Sequence, residues 1–269
     1  MALFAAHATL HVLRLAPGAL SVFDVLVLEE ALLRADARNW CILSTGGEPT
    51  IVLGVSGDVR ALVHCSAARA AGVRAVRRFT GGGTVVTDAG TAFASFIVNK
   101  ADATRAPLYP RDVMAWSARA YAPVFAAGGA LLPRGAPGAP FALREHDYAL
   151  GDRKFAGNAQ AVSRDRWVHH TSFLWRADDA RLALLRLPAK RPAWRRDRAH
   201  GAFLTQLADA AAPGAGIGAL ADALVAHLRG ESARGGATVV EATLEDALAV
   251  LPRNDRRSNE WVELPEDAG

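Results

Sequence analysis

Three adjacent glycines, residues 81–83, lie in the segment RRFTGGGTVVTD at residues 77–88. Glycine tolerates positive φ and has no Cβ, so this run lets backbone N–H groups approach the oxygens of a carboxylate or a phosphate. Arg78, close to the glycines, can pair bidentately with the same anions. The segment has neither the spacing of a Walker loop nor that of a GxGxxG fingerprint. A hairpin turn with a surface salt bridge is the alternative interpretation.

A lysine follows a tight turn in the segment GDRKFAGNAQ at residues 151–160. This residue, Lys154, is one of three lysines among 31 basic residues, and the others are Lys100 and Lys190. Because arginine supplies nearly all the positive charge, a lysine here indicates a site that needs a compact ammonium rather than a planar guanidinium. The small residues after it leave room for a ligand. A solvated hairpin lysine is the alternative.

Two adjacent histidines, His169 and His170, lie in the segment WVHHTSF, which has the composition of a strand. Alternation along a strand places their side chains on opposite faces, which argues against a metal site that uses both. A histidine satisfied in the core or at the surface is the alternative for each. The two cysteines, Cys41 and Cys65, have no metal-ligand spacing, and a GxSxG elbow is missing. We expect both cysteines to be buried, and the pattern disfavours covalent catalysis.

Strand and helix patterns alternate irregularly along the chain. Period-2 and β-branched runs predict strands at residues 10–15, 40–44, 50–55, 73–77, 84–87, 93–99, 141–150, 155–163, 167–175 and 237–241. Helical patterns begin after a cap at Ser21 with Asp24 three residues on, and recur at residues 62–71, 112–127, 178–187, 199–210 and 217–229, with a short helix from residue 244. Within the pattern at residues 112–127, Pro123 predicts a kink or a break. Residues 131–140, which are rich in glycine and proline, are predicted to form a loop. Because regular βαβ alternation is missing, the predicted fold class is α+β, with a mixed or antiparallel sheet flanked by helices.

Composition limits the class of protein further. The chain has 269 residues, of which 51% are hydrophobic and 22% charged, values that exclude a disordered or fibrous protein. No apolar run approaches the roughly 18 residues that a bilayer span requires. A net charge of +4 does not by itself predict a nucleic-acid binder, so we expect neither nucleic acid nor membrane as a partner. The basic run at residues 190–198 is interpreted as a solvated face, with docking of an acidic partner as the alternative.

Three motifs, taken in their order along the chain, resemble the lipoate-protein ligase A family. They are the glycine segment with Asp88, the lysine segment, and the histidine pair followed by Thr171. The likeness covers residues 10–230 and is closest to plant and algal members, including LEEA at residues 28–31 and NWC at residues 39–41. It implies the α+β catalytic-domain fold of biotin and lipoate protein ligases, which is similar to that of class II aminoacyl-tRNA synthetases. It also implies a catalytic domain over residues 1–245 and a short C-terminal extension over residues 246–269.

The resemblance implies a reaction in two steps. Lipoate and MgATP give lipoyl-adenylate and pyrophosphate, and a lysine of a lipoyl-domain protein then attacks the mixed anhydride. The implied acceptors are acyltransferase subunits of 2-oxo acid dehydrogenases and the glycine-cleavage H protein. ATP with Mg²⁺ is a co-substrate and lipoate is the substrate, while no tightly bound cofactor and no resident metal are implied. A separate accessory protein, or none, stays open, as does a mitochondrial or cytoplasmic location, since residues 1–9 carry no clear targeting signal.

Residue roles follow from the same resemblance. Lys154 is the implied catalytic residue, which holds the carbonyl and α-phosphate oxygens and stabilises the oxyanion that develops in both steps. Asp88 would anchor the glycine segment, and the helix with Leu26 and Glu30 would flank the dithiolane tail. The implied substrate- and nucleotide-binding residues are Arg78, Gly81, Gly82, Gly83, Thr84, Asp88, Asp147, Asn158, His169 and His170. The chain departs from many bacterial members, which have histidine at the position of Thr87 and a Gln-Asn pair at residues 56–57.

Two other functions stay open at this point. An ATP-independent octanoyl or lipoyl transferase would form a thioester on an active-loop cysteine, and Cys65 does not lie at a matching position. A non-catalytic lipoyl-domain binding protein would keep the fold without the chemistry, although Lys154, Arg78 and the three glycines argue against it. A biotin ligase is disfavoured because its GRGRxG loop is missing.

Overall fold

The computed structural model describes residues 2–105, 109–129, 131–133, 140–189 and 191–266. Its strands are β1 (Thr9–Arg14), β2 (Asn39–Thr45), β3 (Thr50–Leu53), β4 (Arg74–Arg77), β5 (Val85–Thr87), β6 (Thr91–Asn99), β7 (Phe141–Arg144), β8 (Asp147–Leu150), β9 (Arg153–Val162), β10 (Arg166–Leu174), β11 (Thr238–Ala242) and β12 (Glu260–Val262). Its helices are α1 (Val22–Ala35), α2 (Val59–Leu62), α3 (Cys65–Ala70), α4 (Pro110–Tyr121), α5 (Asp179–Leu182), α6 (His200–Phe203), α7 (Gly218–Ala233) and α8 (Leu244–Leu248). Short 3₁₀ turns cover Ala193–Arg195, Leu207–Asp209 and Leu251–Arg253.

The larger sheet has eight strands in the order β11-β1-β2-β6-β10-β9-β8-β7. The strands β11, β1 and β2 run parallel to one another, and every pairing from β2 to β7 is antiparallel. This mixed sheet, with helices packed against it, confirms the predicted α+β class.

The smaller sheet has four strands in the order β12-β4-β3-β5. The strands predicted at residues 73–77 and 84–87 flank the glycines as β4 and β5. The alternative interpretation of this unit as a hairpin is wrong, because β4 and β5 do not pair with each other. Strand β4 pairs in parallel with one edge of β3, and β5 pairs antiparallel with its other edge. The glycine loop, which we define as residues 78–84, therefore has to cross the end of β3.

An aromatic core packs helix α4 against the larger sheet. Trp116 and Tyr121 of this helix make edge contacts with Phe96, Trp167 and Phe173 of β6 and β10. Burying each such ring contributes on the order of 2 kcal/mol. The helix ends at Tyr121, before the predicted break at Pro123, because proline has no N–H and clashes with the preceding turn. On the other side of the sheet helix α1 begins with the predicted capping box of Ser21 and Asp24.

Three predicted elements differ in the structure. The strand expected at residues 141–150 is a hairpin, because Glu145 adopts a φ of 52° and turns the chain between β7 and β8. The helices expected at residues 178–187 and 199–210 are single turns, α5 and α6, since the chain beyond each forms backbone bridges, Val63 with Leu185 and Lys154 with Leu204. Tertiary pairing thus overrides the local helical preference. The predicted loop at residues 131–140 lies partly outside the described residues.

The last part of the chain braces both α1 and the glycine loop. Strand β12 pairs antiparallel with β4. Just before it, the buried Asn259 accepts a hydrogen bond from the Phe79 N–H at 3.0 Å and donates to Glu30 Oε2 at 2.9 Å. The Ser258 N–H donates to the same Glu30 oxygen at 2.9 Å. The C-terminal segment therefore satisfies a buried carboxylate and holds the start of the glycine loop.

We expect Asn259→Ala to lower the free energy of unfolding by about 1–3 kcal/mol, because Phe79 N–H and the Glu30 carboxylate each lose a buried partner. Ser258→Ala is the matched control, since its hydrogen bond comes from the backbone. Urea unfolding followed by circular dichroism measures both. Equal stability of the two variants would contradict the bracing role of Asn259.

Candidate active site

A cavity of about 1220 Å³ opens between helix α1, the glycine loop, strands β9 and β10, and the chain at residues 185–203. Helix α1 contributes mostly apolar groups to it, Val22, Val25 and Leu26, with one carboxylate, Glu29. Pockets for a single drug-sized ligand typically measure roughly 300–1,000 Å³. The cavity is therefore large enough for two substrates, with an apolar wall on the side of α1.

The glycine loop passes the end of β3 in direct backbone contact. A Cβ on Gly54 would lie 2.3 Å from the Gly82 carbonyl oxygen. Gly82 has a φ of 112°, and its own Cβ would lie 2.8 Å from the carbonyl oxygen of Asn158 on β9. Glycine at both positions is thus required by packing within the protein itself. By contrast, a Cβ on Gly83 meets nothing within 4 Å, and this residue lines the cavity.

The Arg78 side chain holds the glycine loop in this shape through hydrogen bonds to backbone carbonyls of the loop. Its side chain is buried, with Nη1 donating to the Val52 carbonyl at 3.2 Å and Nη2 donating to the carbonyls of Gly81 and Gly83 at 3.1 and 2.7 Å. Burial lowers the pKa of Arg78 to about 10, while the negative charge of Glu29 acts in the opposite direction. The guanidinium is therefore charged at neutral pH and supplies a fixed positive charge under the glycine loop.

Lys154 lies at the start of β9, after the turn at Gly151, and lines the cavity. Its Nζ donates to Asp147 Oδ1 on the neighbouring strand β8 at 2.6 Å. The second oxygen, Oδ2, accepts from Trp194 Nε1 at 3.2 Å. Asp147 is 5% exposed, so its carboxylate needs both partners. The ammonium thus faces the cavity while its position is set by a buried carboxylate.

Asn158 and His170 complete the wall formed by β9 and β10. Asn158 donates to the His146 carbonyl at 3.0 Å and accepts from Thr171 Oγ1 at 2.9 Å. His170 Nδ1 lies 2.9 Å from Oε2 of Glu29. The same Glu29 carboxylate, which is 2% exposed, also accepts a hydrogen bond from Ser95. A buried carboxylate and an imidazole therefore meet at the α1 side of the cavity.

Two of the sequence-derived site residues lie away from the cavity lining. His169 points to the opposite face of β10, as strand alternation predicts, where Thr171 Oγ1 lies 3.1 Å from its Nε2. It is fully buried, and burial together with the nearby His170 lowers its pKa to about 3, so it is neutral at ordinary pH. Asp88 forms an ion pair with Arg181 and accepts from the Gly90 N–H at 2.7 Å, which fixes the turn between β5 and β6. The residues that do line the cavity are Arg78, Gly81, Gly82, Gly83, Thr84, Asp147, Lys154, Asn158 and His170.

Sequence reasoning missed two features of this site. The first is Glu29, which lies four residues after Val25 and three after Leu26, and therefore on the apolar face of α1. A carboxylate on an apolar helix face indicates that it has a buried partner. Trp194 lies in the basic run at residues 190–198, which the sequence predicts to be a solvated face. No local signal distinguishes it, because its contact with Asp147 depends on tertiary structure. Lys190 of the same run lies outside the described residues.

Metal-ligand and membrane-spanning features are not found in the part of the chain that the structure describes. No three His, Cys, Asp or Glu side chains are grouped there in a way that could hold a metal ion. None of the helices in that part has both the length and the apolar character needed to cross a bilayer.

Comparison with known proteins places the chain in a family. A model of the lipoyl protein ligase A/B catalytic domain matches residues 21–229. The chain belongs to this family, which confirms the resemblance drawn from the motifs. Inactive lipoate–protein ligase 2 of Plasmodium falciparum is 24% identical in a 195-residue alignment that covers 63% of this chain and 50% of that protein. The chain thus spans about half the length of this curated relative.

Solved structures share the fold. Lipoate-protein ligase A bound with ATP matches with a TM-score of 0.69 at 18% identity, over 92% of this chain and 93% of that chain. A bipartite lipoate protein ligase of Thermoplasma acidophilum, described with its E2 lipoyl domain, matches with a TM-score of 0.68 at 19% identity, over 92% of each chain. LipL1 of Plasmodium falciparum in complex with lipoate matches with a TM-score of 0.68 at 17% identity, over 91% of this chain and 69% of that chain. These likenesses establish the lipoate-ligase catalytic-domain fold.

The different surroundings of Gly82 and Gly83 predict different effects of adding one methyl group. We expect Gly82→Ala to unfold at a lower temperature, because the new Cβ meets Asn158 and requires a strained φ. Gly83→Ala should keep the melting temperature of the parent protein and weaken ligand binding at the cavity. Thermal unfolding measures the first effect, and calorimetric titration with lipoate and ATP, the ligands bound in two of the similar structures, measures the second. A normal melting temperature for Gly82→Ala would contradict the packing described here.

Proposed function

We propose that the chain is an ATP-dependent lipoate-protein ligase, which activates lipoate to lipoyl-adenylate and transfers the lipoyl group to a lysine of lipoyl-domain proteins. The observation that carries this proposal is the placement of the Lys154 ammonium and the glycine loop on one cavity whose α1 wall is apolar. The acceptors in this proposal are acyltransferase subunits of 2-oxo acid dehydrogenases and the glycine-cleavage H protein. The catalytic domain comprises residues 1–245, and residues 246–269 form its C-terminal extension.

The apolar and charged walls suit the two ends of lipoate. Val22, Val25 and Leu26 would pack against the hydrocarbon tail and the dithiolane ring, with His170 at the border of the same wall. The lipoate carboxylate would then lie toward the glycine loop, where Arg78 supplies positive charge beneath the backbone. Thr84, Asp147 and Asn158 line the adjoining region, which would take the nucleotide.

The chemistry that follows consists of an adenylyl transfer and then an acyl transfer. In the first, a carboxylate oxygen of lipoate attacks the α-phosphorus of ATP and pyrophosphate leaves. In the second, the unprotonated amine of the acceptor lysine attacks the acyl carbonyl, the bond to the phosphate oxygen breaks and AMP leaves, while the nitrogen releases one proton as the amide forms. Negative charge builds up on oxygen in both steps, and a fixed ammonium at Lys154 would offset it. Mg²⁺ would enter with ATP as part of the co-substrate.

The two other candidate functions differ in what they require of the cavity. A thioester-forming transferase needs a cysteine at the cavity, but Cys41 and Cys65 are both fully buried and neither lines it. Burial also raises the pKa of the Cys41 thiol, which disfavours the thiolate. A non-catalytic lipoyl-domain binding protein is favoured by one observation, the word "inactive" in the name of the Plasmodium falciparum relative. Measurement of the first chemical step decides between this function and the ligase.

Lys154→Arg keeps the charge and changes the geometry of the donor, so it tests the proposed role directly. We expect lipoate-dependent exchange between ATP and pyrophosphate to fall by about 100-fold or more, as when a group that stabilises a developing oxyanion is lost. Lys100→Arg is the matched control and should retain the exchange rate. Exchange at the parent rate in Lys154→Arg would contradict the assignment of Lys154. A folded parent protein that binds lipoate and ATP without exchange would support the non-catalytic function instead.

A further inference from the structure

The basic run at residues 191–198 is solvated only in part. Arg191 and Arg196 are exposed, whereas Trp194, Arg195 and Arg198 attach the run to the active site. Arg198 Nη1 donates to the Asp152 carbonyl in the turn between β8 and β9 at 2.7 Å, and its Nη2 donates to the Trp194 carbonyl at 2.8 Å. Arg195, which is 6% exposed, donates from Nε to the Arg198 carbonyl at 3.2 Å. These bonds tie the 3₁₀ turn at Ala193–Arg195 to the hairpin that carries Lys154.

Trp194 is held in this segment by several contacts. Its ring packs on Phe203 with a centroid distance of 4.6 Å, and the guanidinium groups of Arg144 and Arg198 each lie 5.5 Å from its ring centroid. Its backbone N–H donates to Glu145 Oε1 at 3.1 Å. The indole therefore has one defined orientation, in which Nε1 points at Oδ2 of Asp147.

The indole N–H and the Lys154 ammonium share one carboxylate. Oδ1 of Asp147 accepts from Lys154 and Oδ2 accepts from Trp194, so the plane of this carboxylate is fixed from both sides. If the Lys154 ammonium moves toward a substrate oxygen, the negative charge of the buried Asp147 carboxylate is no longer fully balanced by its positive partner. A donor that stays on Oδ2 limits that imbalance, since a buried charge without a partner is costly.

We propose that Trp194 is a positioning residue, which acts through Asp147 to hold the Lys154 ammonium in place and to stabilise the carboxylate when that ammonium engages substrate. The effect on the reaction rests on the proposed ligase function. The effect on the ammonium itself does not, and it is measurable in the protein without ligand.

Trp194→Phe removes the indole N–H and keeps an aromatic ring against Phe203, so it tests the hydrogen bond more than the packing. Trp261→Phe is the matched control, because Trp261 stacks on Phe23 at 5.0 Å and lies under Arg74 but does not line the cavity. The chain has three lysines, so ¹³C-lysine labelling gives three sets of Cε–Hε resonances, and Lys154→Arg identifies that of Lys154. We expect the Lys154 resonance to shift in Trp194→Phe and to stay in place in Trp261→Phe.

The kinetic arm uses lipoate-dependent exchange between ATP and pyrophosphate. We expect kcat of Trp194→Phe to fall on the order of five-fold, the scale of one weakened hydrogen bond to a charged group, with the KM for lipoate nearly unchanged because the tail binds at α1. A merely structural role would instead lower the melting temperature and leave the Lys154 resonance and kcat of the folded fraction unchanged.

The outcomes separate this inference from the proposed function. An unshifted Lys154 resonance in folded Trp194→Phe overturns the positioning role whatever the activity, and so does an unchanged kcat. A parent protein that shows no lipoate-dependent exchange overturns the ligase function, and the resonance of Lys154 then decides the positioning role alone.

Discussion

Three backbone segments have to meet at one point in this protein, and that requirement governs the site. The carbonyl of Gly82 occupies the space where Gly54 would carry a Cβ, and Gly82 itself lies against Asn158 of β9. The contact is possible only because β4 and β5 flank β3 rather than pair with each other, so that the loop between them crosses the end of β3. Hydrogen bonds from the Arg78 guanidinium and to the Asn259 side chain then hold the backbone of the glycine loop in place at the cavity.

Charge inside the protein is arranged around this crossing. Glu29, Glu30 and Asp147 are all nearly excluded from solvent, and each is satisfied by partners from a different part of the chain. Glu30 accepts a hydrogen bond from the side chain of Asn259 in the C-terminal segment. Glu29 faces His170 at the cavity, and Asp147 orients Lys154. Removing one partner from a buried ion pair is much more costly than the pair is worth. The carboxylates therefore serve to fix geometry at the cavity, as the proposed stabilisation of developing negative charge would require.

Much of the fold follows from local sequence signals, whereas the site follows only in part. The structure confirms three predictions that rest on neighbouring residues alone. They are the capping box of Ser21, the alternation around His169 and the end of the helix before Pro123. Other features depend on contacts between residues far apart in sequence. These features are the partner strands of β4 and β5, the hairpin within residues 141–150 and the bracing by Asn259. Glu29 carried a readable signal as a carboxylate on an apolar helix face. Trp194 carried none, because an indole in a basic run looks like solvent-exposed surface until its partner Asp147 is known.

In the proposed reaction, this cavity joins lipoate to a lysine by way of ATP. The most direct measurement is the intact mass of an apo lipoyl domain after incubation with the purified chain, lipoate and MgATP, with ATP omitted in parallel. We expect a mass increase equal to one lipoyl group only when ATP is present, and we expect no increase when the target lysine of the acceptor is replaced by arginine. Modification without ATP from an acylated carrier protein, or no modification by a folded chain that binds both substrates, would contradict this proposal.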